Sequence, residues 1–272
     1  MNWFKVFQHD VYGGLLRRRY LIVPVMFALP CILAGKHLAS TGLEATWMDY
    51  LMYCFKGILP LTDGADGFEF PILWFLVMGG GMYIALDYPL NDLTEAGQQV
   101  IVRSRSRKGW FLSKCAWNLL SSLLYVLLGV LTALVFALIS GGSPTLVNTP
   151  EASEKLMQIY VMEPLAPAQA VLVAVVLPYL ALSAFTMAQM ALCLIMKPVF
   201  SFLICVCVMI GSLFYNSPYL PGNAAVVVRN GILVEGFLDP TAMALTCLVV
   251  IGGSIIIGLI RFSHMDLLRY EG

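Results

Sequence analysis

The sequence predicts an all-α integral membrane protein. Of its 272 residues, 60% are hydrophobic and only 12% are charged, whereas soluble domains carry about 25% charged residues. The apolar residues fall into six runs separated by polar segments, and runs of this kind are typical of membrane-spanning helices. Lysine and arginine concentrate in alternate polar segments, as expected when one set of loops faces the cytoplasm.

Residues 1–19 are predicted to form an N-terminal amphipathic interfacial helix. Trp3, Phe7 and Val11 recur at helical spacing and share one face, and a one-sided apolar face on a polar segment indicates a helix lying in the membrane interface. Gly13 and Gly14 are expected to break this helix. The alternative is an unstructured tail. No cleavable leader is expected, because no small-residue cleavage site follows the first apolar run.

Residues 20–272 are predicted to form one six-span transmembrane domain. The first span is short and contains two prolines, which neighbouring helices can accommodate. Three consecutive glycines at 79–81 in the second span predict close helix approach or a local bend. An apolar stretch at 47–59 predicts a short helix on the membrane surface. The predicted spans are about 20–39, 71–86, 115–139, 168–196, 199–215 and 240–260.

The distribution of bases predicts that both termini are cytoplasmic. With the N-terminus inside, four bases lie outside: Lys36, Lys56, Lys155 and Arg229. Twelve lie inside: Lys5, Arg17, Arg18, Arg19, Arg103, Arg105, Arg107, Lys108, Lys114, Lys197, Arg261 and Arg269. The reverse orientation would invert this three-to-one excess, against the positive-inside rule.

The spans lack the side chains that membrane catalysis or ion-driven transport normally requires. The sequence contains no phosphate-binding loop, serine-nucleophile elbow or zinc-binding His-Glu motif. Its three histidines are dispersed and its seven cysteines lie mostly in apolar runs, so neither a metal site nor a disulfide framework is indicated. Tyr83, Asn118 and Gln189 are mildly polar candidates for a translocation path. The alternative for each is a helix–helix hydrogen bond.

The polar segment 87–114 is predicted to contain a coupling helix and a membrane anchor. Residues 93–102 follow capping residues at 91 and 92 and carry good first-turn chemistry. Their apolar face suits a groove on a cytoplasmic ATPase. The basic run 103–108 then returns the chain to the membrane, where Lys114 is expected to reach the interface. The alternative is a purely basic anchor on anionic lipid.

This combination of features resembles the permease subunit of a type-2 ABC transporter, the six-span exporter class. The resemblance covers most of the chain and includes the N-terminal interfacial helix, the sequence Glu95-Ala96-Gly97-Gln98, and Ser104-Arg105 ahead of Trp110 and Lys114. Family members often have Thr after the glycine and Pro near Ser-Arg, whereas this chain has Gln98 and no such Pro. The resemblance implies that the ATPase contacts Leu93, Glu95, Gly97, Gln98, Ile101 and Arg105.

The last outer loop adds a candidate gate. Residues 224–237 are too apolar for a solvated loop, and in the resembled family short outer helices dip back into the membrane here. Arg229 and Glu235 are then expected to form a polar pair at the exit. The alternative is that both side chains are solvated.

Together these observations predict a non-enzymatic permease that exports a hydrophobic or amphipathic peptide, drug or lipid-like cargo by alternating access. The resemblance implies two cytoplasmic ABC ATPase subunits, a second permease copy or related chain, and contact with membrane lipid. It implies no cofactor in this chain, with ATP and Mg bound by the ATPase, and no nucleic acid partner. The expected location is a bacterial plasma membrane. The alternative is a membrane scaffold or immunity protein that sequesters a toxin or partner.

Overall fold

The computed structural model describes residues 7–8, 10–15, 18–60, 69–86, 106–161 and 163–264. Within these ranges the regular secondary structure is helical, and the β contacts are two isolated bridges, Thr46 with Ser143 and Asn230 with Leu238. The predicted all-α class is therefore confirmed for this part of the chain.

The described residues form eight principal helices. The first, α1, is Arg18–Ala39, whose opening turn Arg18–Ile22 is a 3-10 turn. The others are α2 (Trp47–Cys54), α3 (Ile72–Ala85), α4 (Arg107–Ile139), α5 (Pro150–Met157), α6 (Pro167–Cys193), α7 (Pro198–Phe214) and α8 (Pro240–His264). A π-helical turn, Leu172–Val176, lies within α6.

Four of these helices, α1, α4, α6 and α8, are long and apolar enough to cross a membrane. Helices α3 and α7 have 14 and 17 residues, which at 1.5 Å per residue gives roughly 21 and 26 Å against a hydrocarbon core of about 30 Å. A helix is thus present in each of the six predicted spans, consistent with a multi-pass membrane protein. The count of six spans stays a prediction.

Helix α4 begins earlier than the sequence pattern predicts. Ser106 caps its start, because the Ser106 hydroxyl accepts a hydrogen bond from the Gly109 amide at 3.1 Å. The residues expected to lie at the interface before a span starting at 115 therefore belong to the first turns of a 33-residue helix. This early start places Trp110, Phe111 and Lys114 on the buried face of α4.

Close helix contacts at glycines hold the bundle together. A side chain at Gly81 of α3 would collide with Leu182 of α6 and Tyr125 of α4, and one at Gly129 of α4 would collide with Phe27 of α1. The glycine run in α3 therefore serves close approach, one of the two predicted roles. The most extensive helix pair is α6 with α8.

Three connections pack into one layer at the end of the bundle where α1, α4 and α7 finish. We call this the loop layer: residues 40–60, 69–71, 140–161, 163–166 and 215–239. Backbone hydrogen bonds join its segments, from Trp47 to Ser143 (3.2 Å) and from Val227 to Phe55 (2.9 Å). The loops predicted to share one side of the membrane therefore do share one end of the bundle.

Seven of the eleven described Lys and Arg residues lie at the opposite end, which we call the basic end: Arg18, Arg19, Arg107, Lys108, Lys114, Lys197 and Arg261. The N-terminal segment reaches this end and is helical there, with a π-helical turn at Val11–Leu15. The predicted break at Gly13 and Gly14 is wrong, because the wider π turn carries helical backbone through both glycines.

Candidate functional site

The basic end is organised around a buried ion pair. Lys114 on α4 contacts Asp10 of the N-terminal segment through Nζ and Oδ1 at 2.5 Å, and the two side chains are 0% and 1% exposed. The Ser113 hydroxyl donates to the other Asp10 oxygen. The expectation that Lys114 extends to the membrane interface is wrong, because a carboxylate inside the protein satisfies its charge.

Aromatic rings enclose this ion pair and connect it to α8. Lys114 Nζ lies 5.0 Å from the Trp110 ring centroid, a distance suited to cation–π attraction. Trp110 stacks on Phe262 with ring centroids 5.0 Å apart, and Phe111 lies 5.9 Å from the same ring. The pair therefore joins the N-terminal segment, α4 and α8 at one point.

The predicted coupling residues lie outside the described part of the chain: Leu93, Glu95, Gly97, Gln98, Ile101 and Arg105. The structure does describe the residues on both sides of that segment, Leu86 just after α3 and Ser106 at the start of α4. The chain that leaves this segment thus enters α4 within two turns of Lys114.

The three predicted path residues occupy different environments. Tyr83 on α3 is 51% exposed, with its ring 6.5 Å from that of Phe202 on α7. Asn118 and Gln189 are each 1% exposed inside the bundle. Asn118 donates to the Thr186 carbonyl at 3.0 Å and Gln189 donates to the Met82 carbonyl at 3.3 Å. Tyr83 is therefore an exposed side chain, whereas the two amides are buried between helices.

The two buried amides belong to a polar seam between α3, α4 and α6. Ser122 and Thr186 share a hydroxyl contact at 3.2 Å, next to the bonds made by Asn118 and Gln189. Asn118 Oδ1, Gln189 Oε1 and Ser183 Oγ have no hydrogen-bond partner among the described residues. Unpaired buried acceptors of this kind normally bind ordered water. The seam therefore offers three polar atoms to bound water.

At the loop layer, Arg229 is a fully buried cation. Its five N–H groups donate to five oxygens: the carbonyls of Ile58 (2.8 Å), Leu59 (3.4 Å), Ser212 (2.9 Å) and Leu213 (2.6 Å), and Asn223 Oδ1 (2.8 Å). Two of these carbonyls end α7, where a helix presents negative partial charge. Burial lowers the pKa of Arg229 to about 10, so the side chain is charged at neutral pH.

The predicted Arg229–Glu235 pair does not form. Glu235 is exposed, whereas every N–H of Arg229 is directed to other acceptors. Carbonyl oxygens outcompete the glutamate because they already surround the guanidinium, and moving Glu235 inward would cost its hydration. Arg229 thus fixes the loop layer to α7 rather than pairing across a gate.

Asp49 is a second buried ionisable side chain in the loop layer, and the sequence pattern does not single it out. It is 0% exposed and accepts hydrogen bonds from the Thr149 amide (3.1 and 3.2 Å), the Ser153 hydroxyl (2.9 Å) and both donors of Thr46 (2.9 and 3.0 Å). Burial raises its pKa, and these donors oppose that rise. The spacing of Thr46 and Asp49 is that of a capping box, a signal visible in the sequence.

The described residues form neither a cluster of metal ligands nor a disulfide. No group of three or more His, Cys, Asp or Glu residues there is arranged to hold a metal ion. The seven cysteines are free thiols, and the sulfurs of Cys31 and Cys54 lie 3.9 Å apart.

Residues 45–268 match the family described as "Protein of unknown function (DUF2705)". The match covers most of the chain, from α2 to the end of α8. This chain belongs to that family. A comparison with curated proteins gives no match.

Proposed function

We propose that this protein is the transmembrane permease subunit of an ATP-driven ABC exporter. It moves a hydrophobic or amphipathic cargo out across the cytoplasmic membrane by alternating access. Two ATPase chains bind and hydrolyse ATP with Mg on the cytoplasmic side, and a second permease copy or related chain completes the path. The resemblance to type-2 ABC permeases, with six helices where six spans were predicted, supports this assignment.

One observation carries the proposal: the four long helices bury a single charged side chain, Lys114, and Asp10 neutralises it. Ion-driven transporters normally move protons or sodium through acidic, basic or histidine groups within the membrane. Here the one buried charge of the long helices is held in an ion pair. We therefore assign the supply of free energy for transport to a partner protein.

The basic end offers a route for force from that partner. The segment between Leu86 and Ser106 connects α3 to α4 at this end. The Asp10–Lys114 pair joins α4 to the N-terminal segment. Trp110 and Phe262 extend the connection to α8. Movement of segment 87–105 by an ATPase would therefore shift three elements together, as gating of a helical bundle requires.

The test is co-purification and ATP hydrolysis of the complex from native membranes. Alanine at Glu95, Gln98 and Ile101 together should reduce both the amount of bound ATPase and the hydrolysis it supports. The control is Glu154→Ala, an exposed position on α5 in the loop layer, which should change neither. Unchanged ATPase binding and hydrolysis in the triple variant would reject the coupling role.

The same purification separates the permease from a scaffold or immunity protein. A permease should elute with ATPase chains in equal number to its own copies. A scaffold should elute with its sequestered partner and no ATPase, and that outcome would replace the proposal.

A further inference from the structure

The loop layer contains an open groove that the helical packing does not fill. It has a volume of about 660 Å³ and lies between residues 159–161 and 163–165 on one side and residues 231–235 on the other, with Gln169 of α6 at its edge. Small-molecule sites typically span about 300–1,000 Å³. The groove is therefore large enough for a compact ligand or for several side chains of a peptide.

The inner wall of the groove is apolar. Ile159, Val161, Leu165 and Leu233 contribute buried side chains to it, at 5–7% exposure. Tyr160 stands at the mouth and is 69% exposed. An apolar wall beside an exposed aromatic ring suits a ligand with a hydrophobic body.

The polar rim of the groove carries negative charge. Glu163 and Glu235 both line it and both are exposed. The described lining residues include neither lysine nor arginine. Each carboxylate is therefore available to a cation that enters from solvent, and an anion would meet repulsion at the same rim.

The charge of the surrounding loops strengthens this preference. The described residues of the loop layer carry seven exposed Asp and Glu side chains, against one exposed base, Lys155, and one half-buried base, Lys56. The third base of this layer, Arg229, is fully buried and donates to carbonyl and amide oxygens, so its guanidinium is not exposed at the groove. A net negative surface around a groove raises the local concentration of cations and speeds their association.

We propose that this groove binds an amphipathic cation, a positively charged peptide segment whose apolar side chains enter the groove while its bases contact Glu163 and Glu235. Tyr160 adds cation–π attraction at the mouth. In the proposed orientation the groove faces outward, and such a peptide is then the cargo class of the proposed exporter. The transport of this peptide rests on the proposed function, whereas its binding to the groove does not.

Binding is measured on the full chain in nanodiscs of neutral lipid, without ATPase, by fluorescence anisotropy. The probe is a labelled amphipathic leucine–lysine peptide, compared with leucine–glutamate and leucine–serine peptides of equal length. The leucine–lysine peptide should bind most tightly, and its affinity should fall as salt rises.

Glu163→Gln and Glu235→Gln should each weaken this binding about threefold, and the double variant about tenfold, as expected for exposed ion pairs. Glu154→Gln, an exposed carboxylate outside the groove lining, should leave affinity unchanged. Equal binding of the three peptides, or equal loss in Glu154→Gln, would overturn the inference. The inference would also be overturned if the double variant changed the number of permease copies in the nanodisc and left peptide affinity intact. The groove would then be a contact between copies.

Failure of this inference is distinguishable from failure of the proposed function. If the chain binds the peptide through its glutamates but never co-purifies with an ATPase, the peptide-binding groove is supported and the exporter function is rejected. If the chain co-purifies with its ATPase but binds no cationic peptide, the exporter function is supported and the peptide-binding groove is rejected.

Discussion

Two buried cations at opposite ends of the bundle are stabilised in different ways. Lys114 at the basic end is paired with a carboxylate, Asp10, and with the Trp110 ring. Arg229 in the loop layer is surrounded by neutral oxygens, two of them from the end of α7. Both side chains are 0% exposed, so in each case the protein replaces the hydration that the charge has lost.

The difference follows from the donor geometry of the two side chains. An ammonium is a compact charge with three donors, whereas the guanidinium has five donors in a fixed planar fork. Five oxygens at fixed positions match the Arg229 fork, so it can organise three segments without a counter-ion. Lys114 instead pairs with a carboxylate more than 100 positions away. The loop layer is thus organised by neutral acceptors, whereas the basic end uses opposite charges.

The largest expected effect is at Arg229. Arg229→Met leaves up to five buried oxygens without donors, and each unsatisfied group costs about 1–3 kcal/mol. Because such costs are not additive, we expect a loss on the order of 5 kcal/mol in the free energy of unfolding. The measurement is reversible unfolding in mixed micelles, followed by circular dichroism.

Arg229→Lys sharpens this prediction, because it keeps the charge and supplies only three donors. We expect its free energy of unfolding to lie between those of the wild type and Arg229→Met. If lysine restores full stability, the charge alone matters and the five-bond explanation is wrong.

The next effect is at the ion pair of the basic end. Asp10→Asn removes the carboxylate that pairs with buried Lys114, and removing one partner of a buried pair typically costs about 3–5 kcal/mol. The double variant Asp10→Leu with Lys114→Met removes both charges and should be close to the wild type. Unfolding in the same micelles compares all three proteins.

A double variant as unstable as Asp10→Asn would contradict this explanation, because it would show that packing rather than charge dominates at the site. Glu154→Gln on the exposed face of α5 should change stability by less than about 0.5 kcal/mol and serves as the control.

The positions of the helices were predictable from the sequence because apolar runs and their polar boundaries are local signals. The start of α4 at 107 is not evident from hydropathy, because the pattern between 106 and 114 is mixed, although Ser106 is a residue type that caps helices. Two consecutive glycines favour a break, whereas a π turn carries helical backbone through Gly13 and Gly14.

The partners of the buried charges were harder to predict because they are distant in sequence or belong to the backbone. Asp10 follows Gln8 and His9, and Lys114 follows Ser113, so neither has a local signal of burial. In addition, 104 positions separate the two partners. Arg229 was singled out within an apolar run, yet its acceptors are mostly carbonyl groups that no sequence pattern displays. Glu235 was simply the nearest charge in the chain.

The smallest expected effect is at Asp49, an anion that, like Arg229, is satisfied by neutral groups. Asp49→Asn places an amide donor where Thr46 and Thr149 already donate, so we expect a loss of about 2 kcal/mol at neutral pH. The reference is again Glu154→Gln, measured by unfolding in micelles at several pH values.

The pH dependence distinguishes Asp49 from both cations. Burial raises its pKa in the folded state above the ordinary value of 3.8, so the folded protein binds a proton more tightly than the unfolded chain does. The resulting stabilisation is complete below pH 3.8 and is lost as the pH rises through the higher folded-state pKa. Asp49→Asn should abolish this fall while Glu154→Gln keeps it. A fall of equal size in Asp49→Asn would assign the titration to another carboxylate and would show that the donors around Asp49 offset its burial completely.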